Sequence, residues 1–237
     1  MNNLNKILAG IIFLFSLVVY ILTMAPTTSF WDCGEFIATS VIMGVPHPPG
    51  TPLYLLLGNF FSQLPTFADT GARVNLISPI FSAFAVMFLY LIIVQLIEEW
   101  HGKAKSWPDF LIIYGSAIIG ALTFAFTDSH WFNAVEAEVY SLSTFFTSIV
   151  VWLILKWNKN SGHDGNVRYI LIIAYMFGLA IGIHLLNLLA LPFIALIIYF
   201  NKFEFKLNSF FITIGATLLT FLTIYLGIVK GIPNLAN

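Results

Sequence analysis

Long apolar runs constrain the fold of this chain more than any other feature. Seven runs can cross a hydrocarbon core, which takes about 20 helical residues; they cover residues 7–24, 74–97, 110–127, 139–157, 169–184, 188–200 and 209–229. Because lipid offers no hydrogen-bond partner to an open backbone, such runs must be helices. The fifth and sixth runs are short and nearly continuous, so we expect a tight hairpin near His184–Asn187.

Composition supports the same class of protein. Of the 237 residues, 59% are hydrophobic and only 9% are charged, whereas an ordinary soluble domain carries roughly 25% charged residues. No basic stripe exists to meet a phosphate backbone, so a nucleic-acid partner is not expected. The sequence predicts an all-α polytopic membrane protein in a single domain spanning residues 1–237, with about seven transmembrane helices and two short surface helices in the outer loop 25–73.

Charge distribution predicts the orientation in the membrane. If the N-terminus is cytoplasmic, most cationic residues lie inside, namely Lys6, Lys103, Lys105, Lys156, Lys159, Arg168, Lys202 and Lys206. Only Arg73 and Lys230 lie outside. The composition is compatible with a bacterial inner membrane, whose periplasmic side would then hold the outer loops. The chain stops just after the seventh run, so we expect it to be truncated at the C-terminus.

The outer loop after the first run places titratable groups beside the membrane. Asp32 and Glu35 fit a capping box, which predicts a surface helix from Cys33 to Met43 with Gly44 in the left-handed position after it. Carboxylates at the mouth of an apolar span are costly unless they are solvated or functional.

A second helix is predicted in the same loop. Thr51 is a candidate N-cap with Pro52 at the first helical position, and the helix should run to about Leu64. Its N-terminus offers free amide groups and a positive dipole end, which suit an anion. The segment PHPPG delivers His47 towards this helix start.

Two further outer positions carry polar groups. Glu136 and Glu138 cannot share a helical face, so we expect Glu136 to be solvated and Glu138 to point inward. His184 and Asn187 are three residues apart and can meet at the predicted hairpin turn.

Motifs across nearly the whole chain resemble a known family. They are WDCGEF with PHPPGTPLY (31–54), RVNLIS (73–78), WFNAVEAEVYSL (131–142) and GLAIGIHLLNLLALP (178–192). The pattern is similar to the GT-C glycosyltransferases, and most closely to the protein O-mannosyltransferase-like multispan branch. Members of that family are longer, so the chain resembles their N-terminal half. The resemblance implies an inverting transfer of a sugar, such as mannose, from a polyprenyl-phosphate donor to a hydroxyl of a protein or glycan on the non-cytoplasmic side.

The resemblance also suggests roles for individual residues. Asp32 is the candidate base, with Glu35 orienting the acceptor or substituting for Asp32. The departing phosphate would be stabilised by His47, Thr51 at its helix start, and Arg73. Where relatives place Lys before the paired prolines, this chain has His47, whose charge at pH 7 is open. The residues assigned to the acceptor or to support are Glu138, Tyr140, His184 and Asn187.

Simpler explanations stand beside these roles. A capping box alone accounts for Asp32 and Glu35, a turn for His47, snorkelling for Arg73, and a hydrogen-bonded turn for His184 and Asn187. Oxygen ligands from Asp32, Glu35 and Glu138, together with His130, would suit Mg²⁺ or Mn²⁺, although nothing in their spacing requires a metal. A multispan transporter and a non-catalytic scaffold subunit remain the alternative functions.

Overall fold

The computed structural model describes residues 3–48, 50–162 and 166–231. Within them, helices and turns form every regular element, and no strand occurs. The α-helices are α1 (Asn3–Thr23), α2 (Cys33–Ile42), α3 (Pro52–Ser62), α4 (Thr70–Asn75), α5 (Ile77–His101), α6 (Trp107–Phe110), α7 (Ser116–Ala125), α8 (Asp128–Ala134), α9 (Val139–Lys159), α10 (Val167–Ile181), α11 (Ala190–Lys202) and α12 (Leu207–Thr223). Pro49 of the PHPPG segment and the last six residues of the chain lie outside the described ranges.

The all-α, polytopic prediction is confirmed. Six helical segments of the described chain are long and apolar enough to cross a membrane. The predicted fifth run forms α10, which has 15 residues and is shorter than these six. The expected hairpin turn follows it, where a 3-10 turn (Leu185–Leu189) leads directly into α11.

The helices α5 and α9 form the centre of the bundle. Each buries at least half of its most apolar stretch, 50% for the segment containing α5 and 56% for α9. On one side, α1 and α7 pack against α5, and the Tyr20 hydroxyl donates to the Ala125 carbonyl at 2.9 Å. On the other side, α10 and α11 pack against α9. The bundle thus holds α9 and the segment before it in a fixed position.

The predicted surface helices α2 and α3 pack against each other across Gly58. A Cβ at Gly58 would lie 2.6 Å from the Ser40 Cβ, and it would also contact the Ser40 hydroxyl. The Asn59 amide strengthens this contact by donating to the carbonyl of Ser40 at 3.0 Å. The absence of a side chain at Gly58 therefore lets the two helices approach closely.

Replacing Gly58 with alanine is expected to destabilise the protein. The added methyl group would overlap the Cβ and the hydroxyl of Ser40. Overpacking of this kind costs about 1–3 kcal/mol of stability. Thermal unfolding in detergent should therefore show a lower midpoint for Gly58→Ala. The matched control is Gly10→Ala in α1, where a Cβ meets nothing within 4 Å. Equal midpoints for the two variants would contradict the close approach of α2 and α3.

Candidate functional site

The segment after α1 and the segment before α9 lie side by side. The Ala25 amide donates to the Val135 carbonyl at 2.8 Å. The Asn75 side chain, at the end of α4, donates to the carbonyls of Ala25 and Thr27 at 2.8 and 2.9 Å. These bonds bring Asp32 and Glu138 to the same end of the bundle, where their charges interact.

Asp32 lies at the N-terminus of α2 with an exposed carboxylate. Its side chain makes no capping hydrogen bond, and no described residue donates to it. The capping-box prediction for Asp32 and Glu35 is therefore wrong. Trp31, the residue before Asp32, has a φ of 61°, which lies in the left-handed region that a bulky residue rarely adopts. The exposed Asp32 carboxylate, which accepts no hydrogen bond from the described part of the chain, is accessible from outside the bundle.

Glu35 binds His47 with both carboxylate oxygens instead of capping α2. The His47 backbone amide donates to Oε1 at 2.6 Å, and the His47 Nδ1 lies 2.7 Å from Oε2. The ring of His47 also lies against Phe36, with ring centroids 5.8 Å apart. His47 offers Glu35 two hydrogen-bond donors, whereas a capping box would offer it only one backbone amide. Glu35 therefore binds His47, and the capping-box rule fails here.

The pair shifts the protonation of both partners. Hydrogen bonds from the His47 side chain and backbone lower the pKa of Glu35. The hydrogen bond to Glu35 raises the pKa of His47, and the charges of Asp32 and Glu138 act in the same direction. Glu35 therefore favours the imidazolium form of His47 over the neutral imidazole.

The C-terminal ends of α2 and α3 differ slightly from the predicted ones. The left-handed residue after α2 is Met43 (φ 52°), one position before the predicted Gly44. The helix α3 begins at Pro52 as predicted and ends at Ser62, two residues earlier than expected. Thr51 occupies the N-cap position, but its hydroxyl is buried and makes no capping bond.

Glu136 and Glu138 are both buried, at 3% and 5% exposure. The expectation that Glu136 is solvated is therefore wrong, while Glu138 does point inward. Residues 135–138 are not helical, so the helical-face argument does not apply to them. The carboxylates meet the buried thiol of Cys33, and ligand atoms of the three residues lie within 4.8 Å of one another.

Burial raises the carboxyl pKa values of this cluster. The pKa of Glu138 rises to about 7, first because of burial and then because of the charges of Asp32 and Glu136. Burial also raises the pKa of Glu136, although contacts with Ser29 and Cys33 oppose the shift. One oxygen of Glu136 has no hydrogen-bond partner among the described residues. The cluster thus holds a carboxyl group that can exchange a proton near neutral pH.

The variant Glu138→Gln is expected to lose pH dependence of stability. Because the folded-state pKa of Glu138 is about 7 and the ordinary value is 4.5, the wild type should lose stability as pH rises through that window. After a discount for partial solvation, the loss is about 2 kcal/mol. Thermal unfolding from pH 4.5 to 8 measures it, with Glu204→Gln at an exposed carboxylate as control. Parallel curves for wild type and Glu138→Gln would contradict the raised pKa.

Three residues at this end of the bundle escaped the sequence analysis as site candidates, namely Cys33, Tyr54 and Glu136. Tyr54 is fully buried in the first turn of α3, and its hydroxyl has no hydrogen-bond partner among the described residues. The charges of Glu138 and Cys33 act on it. Burial raises the pKa of Tyr54. The one local signal was proximity to the motif, since Cys33 lies inside WDCGEF and Tyr54 ends PHPPGTPLY.

The turn after α10 is held by a complete set of hydrogen bonds. Asn187 donates to the carbonyls of Ala180 and His184, and its side-chain oxygen accepts from Ser143 and Thr147 of α9. The His184 Nδ1 accepts from the Leu186 amide at 3.1 Å. These bonds account for Asn187 as a structural residue.

The same turn also contacts the surface helices and the start of α9. The Gly182 carbonyl accepts from the Leu53 amide at 3.1 Å, which joins it to the first turn of α3. The ring of Tyr140 lies 5.1 Å from the ring of His184. Burial lowers the pKa of His184, which favours the neutral form of its imidazole. Tyr140 and His184 therefore face each other next to the start of α3.

Arg73 holds the connection between α3 and α4. Its guanidinium donates to the backbone carbonyls of Ser62, Phe67 and Ala68 at 3.2, 2.6 and 3.3 Å. Arginine carries five N–H donors, so these three bonds do not use all of them. The contacts give Arg73 a structural role, and its assignment to the donor phosphate stays a prediction.

Among the described residues, two groups of side chains are close enough together to hold a metal ion. They are Asp32 with Glu35 and His47, and Cys33 with Glu136 and Glu138. Carboxylate oxygens in the first group suit Mg²⁺ or Mn²⁺, but a metal would have to displace the Glu35–His47 contact. His130, which the sequence suggested as a ligand, belongs to neither group. It packs against Phe124 and Tyr20 instead.

Comparison with known proteins identifies a family for most of the chain. Residues 32–207 match the family described as "Protein O-mannosyl-transferase TMEM260 N-terminal domain". A Dictyostelium discoideum protein named "Protein O-mannosyl-transferase tmem260" is 27% identical over 197 residues, covering 77% of this chain and 22% of the relative. The mouse "Protein O-mannosyl-transferase TMEM260" is 28% identical over 163 residues, covering 69% and 21%.

No solved structure matches the chain significantly. The chain spans about a fifth of the length of the curated relatives that it matches. The family match begins at Asp32, includes every site residue described above, and extends through α11. The chain belongs to the TMEM260 N-terminal domain family of protein O-mannosyl-transferases.

Proposed function

We propose that the chain carries the catalytic face of a membrane glycosyltransferase. It moves a sugar, mannose by the family's name, from a polyprenyl-phosphate donor to a serine or threonine hydroxyl of a protein. The observation that carries the proposal is one end of the bundle at which an exposed carboxylate, Asp32, adjoins the Glu35–His47 pair. The displacement needs two groups on the enzyme. One accepts the proton of the attacking hydroxyl, and the other is a cation that stabilises the departing phosphate.

Asp32 acts as the general base. The acceptor hydroxyl attacks the anomeric carbon and passes its proton to the Asp32 carboxylate as the new carbon–oxygen bond forms. The bond from the anomeric carbon to the phosphate oxygen breaks on the opposite face, so the configuration inverts. Because Asp32 is exposed, it can return the proton to water after each transfer.

His47 stabilises the departing polyprenyl phosphate. Its imidazolium, favoured by Glu35, supplies positive charge close to Asp32. The backbone amides at the start of α3, after Thr51, add a positive dipole end. Arg73 adds a second positive charge. It would contact the phosphate through the guanidinium N–H groups that do not bind the backbone carbonyls of the loop.

The remaining candidate residues line or support this face. Glu138 accepts or returns a proton near neutral pH and adjoins Asp32. Tyr140 and His184 offer a polar edge to the acceptor, and Asn187 holds the turn that positions His184. A divalent metal at Asp32 would also assist the phosphate, but the proposed steps do not require one.

The catalytic face lies on the non-cytoplasmic side of the membrane. The opposite end of the bundle holds Lys103, Lys156 and Lys159, as the positive-inside rule expects of a cytoplasmic face. In a bacterial inner membrane the catalytic face would be periplasmic. The orientation is tested with a single cysteine in place of Phe30, in a Cys33→Ser background. A membrane-impermeant reagent applied to intact cells should label this cysteine.

A transfer assay tests the function. Membranes that contain the protein are supplied with a polyprenyl-phosphate-linked radiolabelled mannose and a serine/threonine-rich acceptor peptide. We expect label on the peptide that β-elimination releases, and the anomeric configuration of the intact glycopeptide should be inverted relative to the donor. Binding of the lipid donor with no transfer would contradict catalysis by this chain and favour a scaffold subunit, while movement of the intact donor across the membrane would indicate a transporter.

A further inference from the structure

A polar cavity lies at the end of the bundle remote from Asp32. It has a volume of about 740 Å³ and is lined by the N-terminal part of α1 and the C-terminal halves of α5 and α9. Asp32 follows the C-terminus of α1, and Glu138 precedes the N-terminus of α9. The cavity and the proposed catalytic face are therefore separated by the length of these helices, and the cavity has no part in the transfer step.

Three lysines outnumber the carboxylates in the lining of this cavity. Lys103, Lys156 and Lys159 contribute ammonium groups, and Glu98 is the one carboxylate among the lining residues. Glu98 lies 3.7 Å from the Lys159 ammonium, so it neutralises one of the three lysines. The stem of Lys156 passes over the Trp152 ring, with the ammonium 5.4 Å from its centroid. A second carboxylate, Glu99, accepts from Gln95 beside the cavity, so the three lysines exceed the two nearby carboxylates by one positive charge, which favours an anionic occupant.

Two buried amides give the cavity a second chemical character. Asn5 and Gln95 also line it, at 6% and 3% exposure. The side-chain oxygen of each has no hydrogen-bond partner among the described residues, while the Gln95 amide nitrogen donates to Glu99. A buried acceptor without a partner destabilises the fold, because it has lost its hydrogen bonds to water. A hydroxyl-bearing occupant would donate to these oxygens and remove that destabilisation.

We propose that the cavity binds a phosphate ester that carries hydroxyl groups. The phosphate would contact Lys103 and Lys156, and the hydroxyls would donate to Asn5 and Gln95. The volume falls within the roughly 300–1,000 Å³ of small-molecule sites. Basic pockets between helices at a membrane surface suit lipid headgroups. A polyol phospholipid such as phosphatidylglycerol and a soluble ester such as glycerol 3-phosphate share the required chemistry.

Ligand-dependent unfolding of the purified chain in neutral detergent tests the proposal. The probes are short-chain phosphatidylglycerol, short-chain phosphatidylcholine and glycerol 3-phosphate, each titrated against the unfolding midpoint. We expect phosphatidylglycerol to raise the midpoint and phosphatidylcholine to have a much smaller effect. Lys103→Gln or Lys156→Met should weaken the apparent affinity about five- to tenfold. Methionine keeps the apolar stem over Trp152, so Lys156→Met removes mainly the charge.

The matched control is Lys206→Gln, an exposed lysine at the start of α12 that does not line the cavity. Stabilisation by phosphatidylglycerol alone identifies a lipid headgroup as the occupant, and stabilisation by glycerol 3-phosphate as well identifies a soluble ester as sufficient. Equal stabilisation by phosphatidylcholine, equal losses for Lys206→Gln and Lys103→Gln, or no response to any probe would overturn the proposal. None of these outcomes bears on sugar transfer.

Discussion

Replacing Asp32 with asparagine is expected to lower sugar transfer by about 10²–10⁴-fold. Asparagine keeps the size of the side chain but cannot accept the hydroxyl proton. Because no described residue hydrogen-bonds to the Asp32 carboxylate, its removal leaves no buried partner unsatisfied, and the unfolding midpoint should hardly change. The measurement is the initial rate of mannose transfer to a peptide at saturating donor, together with thermal unfolding of the same preparation.

The matched control for this variant is Asp128→Asn. Asp128 is an exposed carboxylate in the first turn of α8, outside the Asp32–Glu35–His47 group. Transfer by this control should stay within about twofold of the wild type, because Asp128 is outside the Asp32–Glu35–His47 group and solvent and salt screen its exposed charge. If Asp32→Asn transfers as fast as the wild type, Asp32 is not the base, and Glu35 or Glu138 must be considered instead.

The second large effect is expected at the Glu35–His47 pair. The variant Glu35→Gln removes the hydrogen bond and the charge that raise the pKa of His47. In the wild type, the imidazolium is present below that raised pKa, and transfer should fall as pH rises through it. In Glu35→Gln this falling limb should move to lower pH. At a mildly alkaline pH the variant should transfer about tenfold more slowly, the value of one charge-assisted contact.

A pH–rate profile separates this role from simple loss of structure. If Glu35 only holds the loop, Glu35→Gln lowers transfer equally at every pH. His47→Lys, which restores a permanent cation, should recover transfer in the alkaline range. The control is His101→Gln, which breaks an exposed histidine–carboxylate pair with Asp109 at the other end of the bundle. A profile of Glu35→Gln parallel to the wild type would rule out the proposed charge control.

Local sequence patterns predicted most of the helices. Apolar runs mark the membrane helices, because a continuous apolar segment in lipid must satisfy its own backbone hydrogen bonds and therefore forms a helix. Pro52 after Thr51 marks the start of α3. Proline is tolerated at the first helical position because the amide N–H that it lacks would have no partner within the helix. The boundary after α2 moved by one residue, since Met43 rather than Gly44 adopts the left-handed conformation.

The candidate site was only partly predictable. The residues Asp32, Glu35, His47 and Glu138 could be named from the motifs that contain them. Their pairing could not, because the capping rule that links Asp32 and Glu35 is local, whereas Glu35 binds a residue twelve positions away. Glu136 was assigned to solvent because residues 135–138 were treated as helical, and the structure shows that they are not.

The sequence by itself determined that the chain crosses a membrane as helices, and that its titratable groups gather in the loops after α1 and before α9. Both results follow from properties of single segments, namely apolar length and position along the chain. Only the tertiary structure decided which groups meet. The Ala25–Val135 contact and the Asn75 bonds draw the two loops together, Glu35 closes on His47, and Cys33 joins the buried carboxylates. Such contacts depend on how the bundle folds back on itself, which no local pattern encodes.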